Sequence, residues 1–339
     1  MANFALITLS ITFLFFGSLQ TVSQTFQLAR KAAGSDRVER YFDHSYLLVL
    51  VMEAGQALCL MVYLFQQLVL GRIVKTRAVA PASEEDREIP VNIFIMFPSA
   101  VLDIVGVVLN NIGLVLSRDA GTFQMLSSTC MIWCGLLSVP AFRRNMAWFQ
   151  WCGMAVILLG LFVKARVMIP GIFPEFEEKK DCDVYTATYS TATPVDHHDH
   201  HITIIGYASI VLGQLAYAGI YMYEEDIVNK YRIPPLKMVG YRGLFGCFAM
   251  GLLLWPLYFV KIGQAGDNSL FGTGPDHRLE DAIDGFTQIF GGSSNWLLAM
   301  ILLFLVSCGI NNSARLAISK EVGATGAVVL DNGRILLGW

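Results

Sequence analysis

Long apolar runs separated by polar segments dominate the chain and predict a bundle of membrane-spanning helices. A run of about 20 apolar residues can cross a bilayer as one helix. The pattern predicts spans at 4–22, 46–71, 91–116, 122–142, 147–166, 202–223, 238–260 and 296–314. A further apolar run follows Gly323, but Asp331-Asn332-Gly333-Arg334 interrupts it, so we expect only a short, broken helix there.

A polar motif occurs twice in the chain. Asn110-Asn111 precedes Ser117-Arg118-Asp119-Ala120-Gly121, and Asn311-Asn312 precedes Ser319-Lys320-Glu321-Val322-Gly323 at nearly the same spacing. The repetition indicates a duplicated unit. Duplicated units with polar residues at membrane depth are typical of transporters.

The longest polar segment, 167–201, divides the two copies. We therefore expect a first repeat at 1–166, this loop, and a second, shorter repeat at 202–339. A repeat of five spans is odd-numbered, so the two halves would be inverted, with Arg143-Arg144 and the loop on opposite sides of the membrane. The loop ends in Asp196-His197-His198-Asp199-His200-His201, which we interpret as a polar tract rather than a metal site.

Composition supports a membrane protein and excludes several other classes. The chain is 55% hydrophobic and only 15% charged, whereas soluble domains carry about 25% charged residues. With a net charge of −3 and no basic stripe, we expect no nucleic-acid binding. All cysteines except Cys182 lie in apolar runs, so we interpret them as small buried residues and expect no metal site. The chain contains no GxxxxGK[ST] loop for ATP.

Polar side chains inside the spans are the candidates for function. An ionisable group at membrane depth is costly unless it faces a partner or a water-filled cavity. For Glu53 and Asp103 the roles are proton coupling or a hydrogen bond to a solute, and the alternative is a structural carboxyl. The amides either line a cavity or tie helices together. The candidate substrate-pathway residues are Glu53, Asp103, Asn110, Asn111, Gln124, Arg242, Asn311 and Asn312.

Two other features are interpreted as structural. Glu224-Glu225-Asp226 follows the predicted span 202–223, so we expect it in a polar loop. Tyr217, Tyr221 and Tyr223 are interpreted as packing aromatics rather than a platform for a ligand.

Short motifs along the chain also resemble a known family. They are Phe97-Pro98, Asp103, Thr122-Phe123-Gln124-Met125-Leu126, Gly135-Leu136-Leu137-Ser138, Glu224-Glu225, Val239-Gly240, Gly243-Leu244-Phe245-Gly246, Leu279-Glu280-Asp281-Ala282, Ser319-Lys320-Glu321 and Val329-Leu330-Asp331. In their order and spacing, from about residue 46 onward, they resemble the drug/metabolite transporter superfamily. Within it the chain is similar to the solute carrier family 35 branch related to nucleotide-sugar transporters.

The resemblance implies an EamA-like plan of ten helices in two inverted five-helix repeats. It also implies a substrate cavity between the repeats and alternating access without ATP hydrolysis. Against that plan, the last helix or two would be incomplete or absent here. Ser127 stands where the pattern has an arginine, and Arg242 stands where it has an acidic residue.

We therefore predict an all-α polytopic membrane protein, a secondary transporter of a small polar solute by alternating access. Whether that solute is anionic or nucleotide-linked is left open. The alternative is a non-transporting membrane scaffold that binds a partner protein. The incomplete last helix and Ser127 favour the scaffold, whereas the buried acids and the paired asparagines favour transport. No enzymatic activity is expected, because no histidine lies among acids inside a span.

The expected partners are the solute and membrane lipid, with no cofactor. A homodimer or a membrane partner protein is left open. We expect an integral multi-pass protein of the endomembranes (Golgi, ER or lysosome), with the mitochondrion as the alternative.

Overall fold

The structure is a bundle of helices. This computed structural model describes residues 2–28, 31–35, 37–42, 44–77, 90–117, 120–142, 148–168, 200–261, 278–291 and 295–337. The helices are α1 (Ala2–Leu28), α2 (Ser45–Arg77), α3 (Phe97–Ser117), α4 (Ala120–Ser127), α5 (Thr129–Phe142), α6 (Trp148–Met168), α7 (His200–Tyr231), α8 (Pro235–Phe259), α9 (Ala282–Gly291), α10 (Trp296–Val322) and α11 (Ala324–Leu337). A 3₁₀ turn, Ile93–Met96, leads into α3, and strands β1 (Lys31–Ala33) and β2 (Glu39–Tyr41) form an antiparallel hairpin.

Within the described ranges, six helices are long and apolar enough to cross a membrane. Their apolar spans are Phe4–Gln24, Ser45–Val69, Ile93–Leu114, Ile204–Tyr231, Pro235–Phe259 and Trp296–Val322. Each overlaps a span predicted from the sequence. The shorter apolar helices Met125–Pro140 and Trp151–Gly160 lie in the predicted spans 122–142 and 147–166. The chain is therefore an all-α polytopic membrane protein.

Two predicted boundaries are wrong. The predicted span 202–223 does not end before Glu224, because α7 continues to Tyr231. Glu224 and Glu225 are buried and hydrogen-bonded to groups of the second half, so they do not mark a loop. The predicted break at Asp331 is also absent, because α11 is one continuous helix and Asp331 and Asn332 line a polar cavity.

Helices α2 and α8 pack closely and run in opposite directions. Gly240 of α8 faces Leu60 of α2, and Gly246 faces Glu53, so the two helices are antiparallel. A Cβ atom at either glycine would overlap α2. Small residues at such spacing let helices approach closely in membranes.

Two further pairs of helices are also antiparallel. In α3 and α7, Ile95 contacts Tyr223 near the start of α3, whereas Gly113 contacts Ile210 near its end. In α1 and α10, Ser23 donates a hydrogen bond to the Met300 carbonyl at 2.7 Å, and Phe13 lies in the hydrophobic cluster of Ala314 and Ile318.

A buried clasp joins α2 to α9 on the side of the bundle where the hairpin lies, here called the hairpin face. His44 Nδ1 lies 2.8 Å from Glu280 Oε1, and His44 Nε2 lies 3.5 Å from Asp284 Oδ2. The Tyr46 amide donates to Glu280 at 3.0 Å, and the Ser35 amide of the hairpin donates to Asp284 at 2.6 Å. The clasp thus holds the hairpin, the start of α2 and α9 together.

The charge of His44 gives the clasp a predictable pH dependence. Burial lowers the pKa of His44, but the hydrogen bonds and charges of Asp284 and Glu280 outweigh burial and raise this pKa from 6.5 to about 9. Protonated His44 therefore contributes its full stabilisation at pH values below its ordinary pKa of 6.5. That contribution is lost progressively as the pH rises through about 9. We expect the amide-exchange protection of α9 to fall across that window.

The matched variant is His44→Gln, which keeps a side chain of similar reach without the charge. Its α9 protection should be lower and nearly independent of pH across the same window. Unchanged protection of wild-type α9 through that window would contradict an ionic clasp.

Candidate functional site

A buried arginine, Arg242 on α8, is the centre of the polar site. Its side chain is 2% exposed, and each of its nitrogens donates to a different helix. Nε donates to Gln56 Oε1 at 2.8 Å, Nη1 to Glu224 Oε1 at 2.7 Å and Nη2 to Asn312 Oδ1 at 2.9 Å. Asp103 Oδ2 lies 3.6 Å from Nε. Arg242 therefore links α2, α3, α7 and α10.

A second buried arginine, Arg315 on α10, completes the charge cluster. Its Nη2 donates to Glu224 Oε2 at 2.7 Å, so Glu224 bridges the two arginines. Its guanidinium lies 4.2 Å from the centre of the Tyr221 ring, close enough for a cation–π contact. Among the described groups, nothing accepts a hydrogen bond from its Nε.

Complementary charges are what keep these groups inside the bundle. An isolated ion buried away from water is costly, and only a partner with hydrogen bonds offsets that cost. Glu224 is fully buried and holds two guanidiniums, so its charge is compensated. Glu53 is also fully buried but lacks such a partner.

A cavity of about 390 Å³ lies above this charge cluster. Both halves of the chain contribute to its wall. The lining residues are Phe13, Gln20, Thr21, Gln24, Ser45, Leu48, Val49, Met52, Gln56, Asp103, Val107, Asn110, Asn111, Leu114, Phe123, Ser127, Cys130, Gln214, Tyr217, Ile220, Tyr221, Arg242, Phe304, Asn311, Asn312, Arg315, Val328, Asp331 and Asn332. Its size is that of a site for a small molecule.

The cavity reaches the hairpin face and ends before the opposite face, here called the far face. Gln24 and Ser45 lie at the hairpin-face ends of α1 and α2. Arg242 and Arg315 lie about two helical turns from the far-face ends of α8 and α10 and form the floor. Below the floor, a buried cluster fills the far-face end: Cys59, Met96, Ile227, Val228, Ile233, Met238, Val239 and Leu316.

Two amide pairs cross the cavity wall in equivalent places. Gln214 Nε2 of α7 donates to Asn110 Oδ1 of α3 at 3.0 Å. Asn311 Nδ2 of α10 donates to Gln20 Oε1 of α1 at 3.2 Å. Because Asn110 and Asn311 hold equivalent places in the repeated motif, the two bonds correspond under exchange of the halves.

The structure brings most of the predicted pathway residues to the cavity. Those in its wall are Asp103, Asn110, Asn111, Arg242, Asn311 and Asn312. Glu53 lies behind the wall, and the side chain of Gln124 lies outside the part of the chain that the structure describes. Arg143-Arg144 and residues 196–199 also lie outside it. The role of each residue in handling a solute remains a prediction.

Sequence reasoning missed Glu224 and Arg315, the two ions that complete the floor. One signal could have found Glu224, because Arg242 in an apolar span needs a buried counterion. Tyr217 and Tyr221 pack against a hydrophobic cluster, as predicted, and they also line the cavity. Tyr223 instead donates to the Ile95 carbonyl at 2.7 Å.

The chain is similar to known proteins along nearly its whole length. It is 28% identical over 327 residues to human Solute carrier family 35 member F6, which covers 95% of this chain and 77% of that protein. The mouse protein of the same name is 27% identical over 326 residues, with the same coverage. Uncharacterized protein C12G12.12 of Schizosaccharomyces pombe is 25% identical over 273 residues, covering 79% of this chain and 71% of that protein.

No protein-family model matches the chain. The resemblance expected from the sequence motifs is confirmed by these relatives, which match 95% of the chain in the mammalian cases. Along most of its length, the chain is therefore similar to members of solute carrier family 35.

Proposed function

We propose that this protein is a secondary transporter that moves a small anionic solute through the cavity by alternating access. Similarity to members of solute carrier family 35 supports solute transport in general, rather than catalysis. The observation that carries the choice of an anion is Arg315. Its side chain is 5% exposed, it lines the cavity floor, and its Nε has no acceptor among the described groups.

A carboxylate or phosphate would supply the missing acceptor. Guanidinium groups bind such planar or tetrahedral anions through paired hydrogen bonds, and the buried setting strengthens each bond. The floor also offers Arg242, although its nitrogens are already engaged by Glu224, Gln56 and Asn312. Arg315 is therefore the primary anchor in this proposal.

The polar wall suits the remainder of such a solute. Amides from four helices (Gln20, Asn110, Gln214 and Asn311) face the same space and offer both donors and acceptors. Apolar residues alternate with them, as in small-molecule sites generally. A polar, hydrogen-bonding molecule with one anionic group would use both parts of the site.

The packing of the helices supports alternating access. The helices of the two halves can be matched as α1 with α7, α2 with α8 and α3 with α10. Under this exchange the antiparallel pair α1–α10 becomes the pair α7–α3, and the pair α2–α8 is exchanged with itself. The exchanged helices run in opposite directions, as inverted repeats do. The arrangement seen here reaches one face and is closed at the other, and inversion of the repeats would give a second state closed at the hairpin face.

Solute binding tests the proposed anchor. The purified protein would be screened by thermal unfolding against nucleotide sugars, nucleoside monophosphates and small carboxylates. We expect Arg315→Ala to abolish the stabilisation by any active compound, because a lost charged hydrogen bond in a buried site weakens binding by about 10-fold or more.

The control for this screen is Lys320→Ala, which removes an exposed cation from the same helix. It should leave the stabilisation intact. A full response from Arg315→Ala, or a uniform loss in both variants, would contradict anchoring at Arg315.

The endomembrane location also remains a proposal, and imaging of the tagged protein against organelle markers tests it.

A further inference from the structure

Glu53 is the buried group that the solute site leaves unexplained. It is fully buried, and no N–H or O–H group in the described ranges donates to either of its carboxyl oxygens. Glu53 lies against Gly246 of α8, about one helical turn from Arg242, and Asp103 Oδ2 of α3 lies 3.6 Å from Arg242 Nε, also without a hydrogen-bond donor. Two ionised carboxylates beside the same arginine offer only acceptors to each other, and they repel.

We propose that Glu53 and Asp103 form a proton-binding site, in which one proton is shared between the two carboxyls and exchanges with the cavity through Asp103. A single proton converts the repulsive contact into an O–H···O hydrogen bond. Asp103 lines the cavity, whereas Glu53 lies behind it. The proton therefore enters and leaves on the cavity side.

Charge balance at the floor supports one proton. Setting aside Asp331, which is half-buried in the cavity wall, the fully ionised cluster holds the carboxylates of Glu53, Asp103 and Glu224 against the guanidiniums of Arg242 and Arg315. Within this buried cluster one negative charge is in excess, and one bound proton removes it. A buried cluster that is neutral overall avoids the large penalty of an unpaired ion in a membrane.

Among the described residues, the helices around Glu53 offer no other carrier for this proton. The titratable and charged groups that face it are Asp103 on α3, Tyr217 and Glu224 on α7, and Arg242 and Cys247 on α8. Glu224 is held by two arginines, and tyrosine and cysteine are neutral when protonated in the ordinary way. On α10, Leu305 and Gly309 contact Gly55 of α2 one turn away.

The proton site is linked to the solute site through Arg242. Asp103 Oδ2 lies 3.6 Å from Arg242 Nε, so an anion that draws Arg242 toward itself weakens its hold on Asp103. The two carboxyls then hold their shared proton more firmly, and by linkage the proton favours binding of the anion. This coupling rests on the proposed function, and it means that proton and anion cross the membrane together.

Infrared difference spectroscopy of the purified protein, without any solute, tests the proton site directly. A protonated carboxyl has a C=O stretch that is separate from the carboxylate bands and shifts in D₂O. We expect such a band in the wild-type protein at neutral pH, and loss of the band as the pH is raised. Glu53→Gln should remove it, and Asp103→Asn should shift it because a neutral amide replaces the partner carboxylate.

The matched control is Glu321→Gln, the same change at an exposed position near the end of α10, which should leave the band in place. A band that persists unchanged in both Glu53→Gln and Asp103→Asn would overturn the proposal. So would a wild-type protein without a titrating band. If Glu53→Gln fails to fold, the wild-type titration and the Asp103→Asn shift still decide. Because no solute is present, failure here leaves anion binding at Arg315 standing, and the reverse also holds.

Discussion

Replacing Arg242 with alanine is expected to be among the most destabilising single changes in this protein. It leaves Glu224 with one guanidinium instead of two and removes the cation beside Asp103. Breaking a buried ion pair from one side typically costs about 3–5 kcal/mol, because the remaining charge stays buried without its partner. We expect a large fall in the midpoint of thermal unfolding in detergent and reduced yield of folded protein.

A double variant separates the charge effect from lost packing. Arg242→Met combined with Glu224→Gln removes both charges and keeps similar side-chain volumes. It should recover part of the stability lost in Arg242→Met alone, because the side chain at position 224 would then be a neutral amide instead of an incompletely paired ion. Equal unfolding midpoints for the single and double variants would show that charge pairing does not hold the floor.

Substituting Gly243 with alanine is expected to give the second large effect. This glycine packs on α2, and a Cβ atom there would meet the backbone nitrogen of Ala57 and the Cβ of Gln56 closer than real contacts allow. The two helices would have to separate, which also moves Gln56 away from Arg242. Overpacking of this kind costs about 1–3 kcal/mol, and we expect a corresponding drop in the unfolding midpoint.

Gly251 supplies the control on the same helix. Among the described residues, no atom beyond its chain neighbours and its own helix backbone lies within 4 Å of the position that its Cβ would take, so Gly251→Ala should be neutral or slightly stabilising. A comparable loss of stability in both variants would contradict the claim that close approach of α2 and α8 is the cause.

Hydropathy alone predicted the long helices, because a bilayer demands apolar stretches of a set length. The asparagine pairs could be predicted as well, since an amide in the middle of an apolar run has few alternatives to a cavity or a neighbouring helix. Asn110 and Asn311 stood out further because their motif is repeated.

The floor could not be predicted in the same way. Glu224 and Arg315 lie near the ends of apolar runs, where charged residues ordinarily mark the membrane surface. Only contacts among α7, α8 and α10 make both ions internal, and periodicity within one helix carries no information about those contacts. The predicted break at Asp331 is wrong for a related reason. A helical turn with polar side chains can continue inside the bundle when those side chains face a polar cavity.

Alternating access is the central claim, and the accessibility of Asn110 tests it most directly. In a variant without native cysteines, Asn110→Cys would be probed with a membrane-impermeant thiol reagent applied from each side of oriented proteoliposomes. We expect reaction from the hairpin face in the state seen here. When Arg242→Met weakens the floor or an active anion drives turnover, we expect a gain in the rate from the far face and a matching fall in the rate from the hairpin face. A gain at the far face with no fall at the hairpin face, or reaction from the hairpin face alone under every condition, would contradict alternating access.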